Sequence, residues 1–204
     1  MIAIVDYGAG NIKAILNIYK LLNINVSIIK NSRQLEEANK IILAGVGAFD
    51  DSMSRLNNSG MREILDRQVL EKHVPVLGIC VGMQMMACGS EEGKESGLCW
   101  FENSRVIKID ELNLQHKPKL PHMGWNKVQP LKNHSIFNNI NKNKGFYFLH
   151  SYHFFCHQKY HLGITNYGSE FASAVCKDNI YGLQFHPEKS HSNGINVLKN
   201  FSEC

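Results

Sequence analysis

A cysteine between two glycines is the first feature of the sequence that could do chemistry. Cys80 stands in Gly78-Ile79-Cys80-Val81-Gly82, where an apolar, strand-like run gives way to a helical pattern. A sharp strand-to-helix turn exposes a nucleophile beside backbone N–H groups that can hold an oxyanion, and it requires small residues two positions before and after. A helix starting at Val81 would also favour the thiolate. The alternative is a buried structural cysteine beside two incidental glycines.

A second motif supplies a base and a carboxylate. His186 and Glu188 flank Pro187 and follow the apolar run 180–185. In a catalytic triad the imidazole must reach the nucleophile, and a carboxylate must fix the tautomer and orientation of the ring. A His-Pro-Glu tripeptide alone would indicate only a surface turn. Together with Cys80 it predicts a Cys–His–Glu triad.

The elements around these motifs indicate an α/β fold. Strand patterns cover residues 1–7, 25–30, 40–43 and 74–79, and helical patterns cover 12–22, 49–56, 60–72 and 81–88. Apolar strands alternating with helices predict a central, mostly parallel sheet with helices on both faces. Shorter strand patterns follow at 106–109, 146–155, 161–165, 172–176 and 180–185, before a helix at 195–201. They predict an antiparallel extension, within a single domain spanning 1–204.

Composition excludes several classes of protein. No run of about 18 apolar residues exists, so we expect no membrane span, and the first residues resemble a strand rather than a signal peptide. The formal charge is only +4 and the lysines are dispersed, so we expect no nucleic-acid partner. The six cysteines form no regular framework, which favours reduced thiols in a cytoplasm. His150, His153, His157 and His161 lie among aromatic residues typical of strands, so we expect no metal and no cofactor.

Seven segments carry a resemblance to a known family. They are VDYGAGN (5–11), LAGVGAF (43–49), GICVGMQ (78–84), SEEG (90–93), PHMGWN (121–126), FLHSYHF (148–154) and GLQFHPEKS (182–190). The chain resembles the class I, or triad, glutamine amidotransferases, and most closely their glutaminase subunits of imidazole glycerol phosphate synthase. The resemblance implies a flavodoxin-like fold.

The same resemblance implies a role for each matching residue. Cys80 would attack the glutamine amide, His186 would transfer the proton, and Glu188 would orient His186. Backbone N–H groups of Val46 and Val81 would form the oxyanion hole. Gly47 and Gln84 would hold glutamine, with Ser151 and Tyr152 as a main-chain clamp. The family usually has proline where this chain has Ala44, which predicts a looser backbone before the oxyanion strand.

The family also implies a partner. Its glutaminase docks on a cyclase subunit that has a (β/α)₈ barrel, forming a heterodimer through which ammonia passes. The matching interface residues are Gly10, Asn11, Met123, Trp125, Asn126 and Lys189. Without the resemblance, Gly8-Ala9-Gly10 would indicate a tight turn and Trp125 an ordinary core residue.

The implied activity is glutamine hydrolysis coupled to formation of imidazole glycerol phosphate and AICAR in histidine biosynthesis. A rival interpretation keeps the glutaminase but delivers ammonia to sugar amidination in surface-glycan synthesis. A cysteine hydrolase acting alone, such as a peptidase, and an inactive binding module are further alternatives. The interface segments argue against the former, and the intact triad argues against the latter.

Overall fold

Parallel strands and helices alternate in the first half of the chain, as predicted. The computed structural model describes residues 1–112, 114 and 119–204. The elements of the first half are β1 (Ile2–Val5), α1 (Ile12–Leu21), β2 (Val26–Ile29), α2 (Ser32–Leu35), β3 (Lys40–Gly45), α3 (Phe49–Asn58), α4 (Arg62–Asp66), β4 (Val76–Cys80) and α5 (Val81–Gln84). A π-helical segment, Arg67–Glu71, continues α4.

The second half consists mainly of antiparallel strands. They are β5 (Arg105–Lys108), β6 (His122–Asn126), β7 (Gln129–Pro130), β8 (Phe146–His150), β9 (Tyr152–Phe155), β10 (His161–Tyr167), β11 (Ser169–Lys177) and β12 (Ile180–Leu183). Short 3₁₀ turns lie at Ser135–Phe137, Gln158–Tyr160 and Pro187–Lys189. Helix α6 (His191–Glu203) ends the chain.

One large sheet places the predicted catalytic motifs at a common edge. Its strand order in the described part of the chain is β2-β1-β3-β4-β12-β11-β10-β7. The first five strands in this order are parallel, and the last three extend the sheet in antiparallel pairing. The parallel part has the flavodoxin-like order, in which ligands bind at the carboxyl ends of the strands. The predicted fold class is confirmed.

The apolar strands of this sheet are covered by helices. Every residue of β1 and β4 is buried, as expected for parallel strands packed on both faces. Helix α1 packs against α6, where the Tyr19 hydroxyl donates to the Leu198 carbonyl at 2.9 Å. Helix α3 packs against α5. No helix among residues 1–112, 114 and 119–204 is long and apolar enough to cross a bilayer.

Strands β6 and β8 form a separate two-stranded sheet, the β6–β8 ribbon, that the strand pattern did not predict. The predicted strand 146–155 divides at Ser151, so that β8 pairs with β6 whereas β9 pairs with β5. Residues of the ribbon alternate between two faces. Met123 and Trp125 are exposed on the outer face, whereas His122 and Phe148 are buried on the inner face.

Two predictions about the segment after Cys80 are wrong. The helix expected over 81–88 ends at Gln84, because Leu98 and Trp100 donate backbone hydrogen bonds to the Met85 and Met86 carbonyls and turn the chain. A long helix dipole therefore does not act on Cys80. The cysteines are also not all reduced, since Cys88 and Cys99 form a disulfide.

The disulfide follows from backbone packing. Gly97 donates to the Cys88 carbonyl and Cys99 donates to the Ala87 carbonyl, which holds the two cysteine Cα atoms 3.9 Å apart. Neither partner lies in a recognisable cysteine motif, so sequence spacing gave no signal for this pair. The remaining cysteines, 80, 156, 176 and 204, are free.

Candidate active site

Cys80 occupies a strained turn at the end of β4. Its φ is 54° and its ψ is −113°, a left-handed conformation that a residue with a Cβ rarely adopts. A Cβ on Gly82 would overlap the Leu43 carbonyl, and one on Gly78 would lie 2.6 Å from the Met86 Cε atom. Both glycines are therefore required by close packing, which is the reason that the sequence suggested.

His186 and Glu188 meet immediately after β12. The His186 Nδ1 atom lies 2.9 Å from Glu188 Oε1, and both side chains are buried, with 3% and 1% of their surface exposed. The ring therefore donates from Nδ1 to the carboxylate and leaves Nε2 for the thiol. Backbone contacts fix this segment, because His186 N–H donates to the Tyr147 carbonyl at 2.8 Å and the Ser190 hydroxyl donates to the His186 carbonyl.

Charges around His186 favour its protonated form. Burial lowers the pKa of this imidazole. Hydrogen bonds and charges from Cys80 and Glu188 together raise it by more than burial lowers it, and the net pKa is about 10. The site therefore stabilises the protonated ring of His186. Placed between a thiol and a carboxylate, this ring can stabilise negative charge that develops on sulfur and can donate a proton to a leaving group.

A cavity of about 330 Å³ opens in front of Cys80 and His186. The structure brings to it every residue predicted for the oxyanion hole and for glutamine binding. Its lining consists of Val46, Gly47, Cys80, Val81, Gln84, Glu92, Pro121, Leu149, His150, Ser151, Tyr152, His186 and Lys189. Glu188 lies behind the His186 ring rather than in the cavity wall.

The predicted oxyanion strand leaves β3 beside the nucleophile. Gly45 pairs with Cys80 in the parallel register of β3 and β4, and Val46 and Gly47 then continue along the cavity. Gly47 has a φ of 93°, which favours glycine. Ala44, the departure from the family pattern, is buried, and its carbonyl accepts a hydrogen bond from the Tyr7 hydroxyl at 2.8 Å. That bond anchors the strand just before it reaches the cavity.

The predicted interface residues fall into two groups. Met123 and Trp125 lie on the outer face of the β6–β8 ribbon with 62% and 50% of their surface exposed. Lys189 is exposed at the cavity, with its Nζ atom 5.4 Å from the centre of the Tyr147 ring. Asn126 is half-buried and donates to the Asn166 carbonyl at 2.9 Å.

The second group precedes α1. Gly10 and Asn11 are half-buried where β1 turns into α1. Gly10 has a φ of 90°, and a Cβ there would press on the Ala44 carbonyl. This glycine therefore has a packing role beside the oxyanion strand, in addition to its predicted place at the interface.

The histidine-rich segment forms strands and a turn, as predicted, and His157 lies in the turn. His150 ends β8, His153 lies in β9 and His161 begins β10. Within the ranges that the structure describes, no three His, Cys, Asp or Glu side chains are grouped closely enough to hold a metal ion.

Known proteins share this arrangement over the full length of the chain. Residues 3–203 match the family model for glutamine amidotransferase class-I. The chain belongs to this family. This class I glutamine amidotransferase is 52% identical to imidazole glycerol phosphate synthase subunit HisH of Bdellovibrio bacteriovorus over 204 residues, which cover 100% of both proteins. It is 46% identical to the subunit HisH of Leptospira borgpetersenii over 203 residues, 99% of each.

Solved structures of lower identity share the fold of this amidotransferase. PurLQS from Thermotoga maritima matches with a TM-score of 0.71 at 16% identity, covering 99% of this chain and 97% of that one. A glutamine amidotransferase from the same organism matches with a TM-score of 0.62 at 16% identity, covering 99% of this chain and 82% of that one.

Two side chains of this amidotransferase site escaped sequence reasoning. Glu92 lines the cavity and its carboxylate accepts the Phe49 N–H at 2.9 Å; its SEEG motif matches the family, but the resemblance implied no role for this residue. Gln184 is fully buried, 3.9 Å from the Cys80 sulfur and 3.2 Å from the Gln84 amide nitrogen. The signal available in the sequence was a polar residue, Gln184, near the end of an otherwise apolar strand, because a buried amide needs hydrogen-bond partners.

Proposed function

We propose that this chain is the glutaminase subunit of an imidazole glycerol phosphate synthase in histidine biosynthesis, and that it acts in the cytoplasm. The observation that carries the proposal is the buried His186–Glu188 pair at the wall of a cavity that also exposes Cys80. The full-length identity to HisH subunits supports the choice among glutamine amidotransferases.

In the proposed mechanism, Cys80 gives its thiol proton to His186 Nε2 and its sulfur attacks the side-chain carbonyl carbon of glutamine. The negative oxygen that results is held by the backbone N–H groups of Val46 and Val81, and one such donor typically contributes about 10²–10³ in rate. His186 donates its Nε2 proton to the departing ammonia, which leaves a glutamyl thioester. His186 then takes a proton from water, whose oxygen attacks the thioester; the C–S bond breaks, glutamate leaves, and His186 returns the proton to the Cys80 sulfur. Glu188 holds the ring throughout.

The cavity offers complementary groups for the two ends of glutamine. The Glu92 carboxylate suits the α-ammonium group, and the main chain of Ser151 and Tyr152 suits the α-carboxylate. Gln84 and Gly47 border the side-chain amide. No free metal or organic cofactor is needed for this thioester chemistry, because the triad supplies nucleophile, acid and base.

Ammonia protonates in neutral water, so a tunnel to a partner's acceptor is the efficient arrangement. The chain pairs with a cyclase subunit, for which we propose a (β/α)₈ barrel in a heterodimer. The outer face of the β6–β8 ribbon is the proposed docking surface, because Met123 and Trp125 are exposed apolar side chains beside the cavity. Gly10, Asn11, Asn126 and Lys189 complete that surface.

The proposal is tested by glutamate release from this chain mixed with the cyclase of the same cell. We expect slow release from the chain alone and strong stimulation when cyclase and its nucleotide substrate are both present. The Cys80→Ser variant in the same mixture is the control for the triad. High basal release that the cyclase does not change would contradict a tunnelled pair.

One outcome would favour the rival acceptor. If a reactive glutamine analogue labels Cys80 but the histidine-pathway cyclase gives no stimulation, the chain is a working glutaminase with another partner. Sugar amidination is then the acceptor reaction to examine.

A further inference from the structure

Two buried histidines outside the proposed triad form a hydrogen-bonded chain on the inner face of the β6–β8 ribbon. His122 and His150 face each other in the strand register, and His122 Nδ1 lies 3.0 Å from His150 Nε2. At one end the Asn126 amide nitrogen lies 3.2 Å from His122 Nε2. At the other end His150 Nδ1 lies 2.9 Å from the Tyr152 carbonyl oxygen.

The tautomers of both rings follow from the two ends of this chain. A carbonyl oxygen can only accept, so His150 must carry its proton on Nδ1 and present Nε2 as an acceptor. His122 must then donate from Nδ1, which leaves its Nε2 to accept from the Asn126 amide. Every bond of the chain is satisfied in this single arrangement, with both rings neutral.

Packing and burial favour that neutral arrangement. The His122 ring stacks between Tyr167 and Phe148, at centroid distances of 3.9 and 4.7 Å. Burial holds the pKa of His150 well below its ordinary value. A proton added to His150 Nε2 would also set two donors against each other across the 3.0 Å contact.

The hydrogen-bonded chain ends on the backbone of Tyr152, a residue that lines the cavity. The Tyr152 carbonyl accepts from His150 and also from the Gln84 side-chain amide at 2.9 Å. Ser151, Tyr152 and Gln84 all line the cavity in front of Cys80. The chain therefore connects β6, whose outer face carries Met123 and Trp125, to the backbone beside the substrate.

We propose that His122 and His150 are positioning residues that fix the Ser151–Tyr152 main chain for glutamine binding. This inference rests on the proposed function, because it assigns the Tyr152 backbone to the substrate clamp. The same hydrogen bonds link β6 to the Tyr152 backbone through the two rings.

The test uses the complex of this chain with its cyclase and measures the KM for glutamine. His150→Phe keeps an aromatic ring but removes the donor to Tyr152, and we expect KM to rise about fivefold to tenfold, as for one lost buried hydrogen bond, with kcat changed less than about twofold. His150→Asn places an amide donor near the position of Nδ1 and should bring KM back to within about twofold of the wild-type value. His122→Phe, whose ring lies outside the cavity wall, should raise KM in the same direction as His150→Phe.

His153→Phe is the matched control. His153 is buried and, like His150, contacts the Phe171 ring. It lies in β9, outside the row of hydrogen bonds from Asn126 to Tyr152, so the His153→Phe variant should have the wild-type KM for glutamine. The inference is overturned if His150→Phe leaves KM unchanged, if asparagine is no better than phenylalanine, or if the control shows the same rise.

A second measurement is independent of variant folding. Nitrogen-15 NMR of the wild-type chain should show Nδ1–H tautomers for both His122 and His150, and an Nε2–H tautomer at His150 would also overturn the inference. Failure of the proposed function looks different, since the wild-type chain would then release no glutamate with the cyclase. Even then, the measured tautomers would show whether the hydrogen bonds between His122, His150 and Tyr152 are arranged as proposed.

Discussion

At the scale of single residues, Cys80 combines a place in the cavity wall with an unfavourable backbone. Its φ of 54° with a ψ of −113° is sparsely populated by residues with a Cβ and costs roughly 1–3 kcal/mol. The surrounding strand and the close packing of Gly82 hold it there. The strain comes from the backbone and not from the thiol. A substitution at this position can therefore remove the activity with or without removing the strain that lowers stability.

Replacing Cys80 with glycine should therefore give a more stable protein than replacing it with alanine. Both Cys80→Gly and Cys80→Ala remove the sulfur and should abolish glutamate release. Only glycine relieves the left-handed strain, so we expect its free energy of unfolding to be about 1 kcal/mol higher than that of the alanine variant. Urea denaturation measures the difference. A glycine variant less stable than the alanine variant would show that this backbone is not strained.

His186 should titrate far above an ordinary histidine. We expect a midpoint of about pH 10 in NMR titration of its ring, and a lower midpoint in Glu188→Gln, which loses a charge and an acceptor that raise this pKa. Because the folded-state pKa is raised above the ordinary 6.5, the associated stability is full below about pH 6.5 and is lost as pH rises through about 10. An unchanged midpoint in the variant would contradict the role of Glu188.

At the scale of elements, the ends of β1, β3 and β4 are locked together around the nucleophile. Gly82 at the start of α5 lies against the Leu43 carbonyl of β3. The Tyr7 hydroxyl, just after β1, donates to the Ala44 carbonyl of the same strand. These two contacts determine where the oxyanion strand enters the cavity.

The first contact predicts that Gly82 tolerates no side chain. Gly82→Ala would force a methyl group into the Leu43 carbonyl, and we expect a loss of at least about 2 kcal/mol in unfolding free energy. Gly89→Ala is the control, because a Cβ at Gly89 meets nothing within 4 Å. It should change stability by less than about 0.5 kcal/mol. Equal stability of the two variants would mean that α5 can move away from β3.

The second contact predicts a joint effect on stability and turnover. Tyr7→Phe removes the donor to Ala44 and should lower the free energy of unfolding by about 1 kcal/mol. It should also lower kcat, because Val46, the proposed oxyanion donor, follows Ala44 by two residues. Tyr19→Phe removes a similar buried bond, to Leu198, far from the cavity. It should lower stability alone. If both variants keep full kcat, the Tyr7 bond does not position the oxyanion strand.

At the scale of the whole molecule, one exposed apolar patch lies at the cavity. Val46, Leu149 and Met123 are large exposed hydrophobic residues at or next to the cavity, and Met123 faces Leu149 in the ribbon register. A surface of this kind around a catalytic opening is typical of a binding interface. The proposed cyclase would cover it and close the route for ammonia.

A charge on this surface should weaken the complex. Met123→Glu should raise the dissociation constant for the cyclase at least about tenfold, because a carboxylate would be desolvated at the interface. Leu21→Glu is the matched control, since Leu21 is 80% exposed on α1, at the opposite edge of the sheet. Isothermal titration calorimetry compares the two. Equal affinities would place the cyclase on another face.

Much of the fold could be predicted because it depends on local patterns. The four strands of the first half and the helices α1 and α3 were predicted to within about two residues at most ends, since apolar periodicity follows burial. Strand β6 could not be predicted in this way, because its alternation of exposed and buried residues depends on pairing with β8, more than twenty residues later.

The sequence by itself determined the chemistry of this protein: Cys80 between glycines, a base and a carboxylate two residues apart, and motifs specific enough to indicate a glutaminase family. Only the tertiary structure decided the short α5, the Cys88–Cys99 disulfide and the His122–His150 chain. Each of these depends on the register and distance between segments that are not adjacent in the chain, from 11 residues apart for the disulfide to 28 for the two histidines. Local residue patterns carry no record of such distances, because long-range packing sets them.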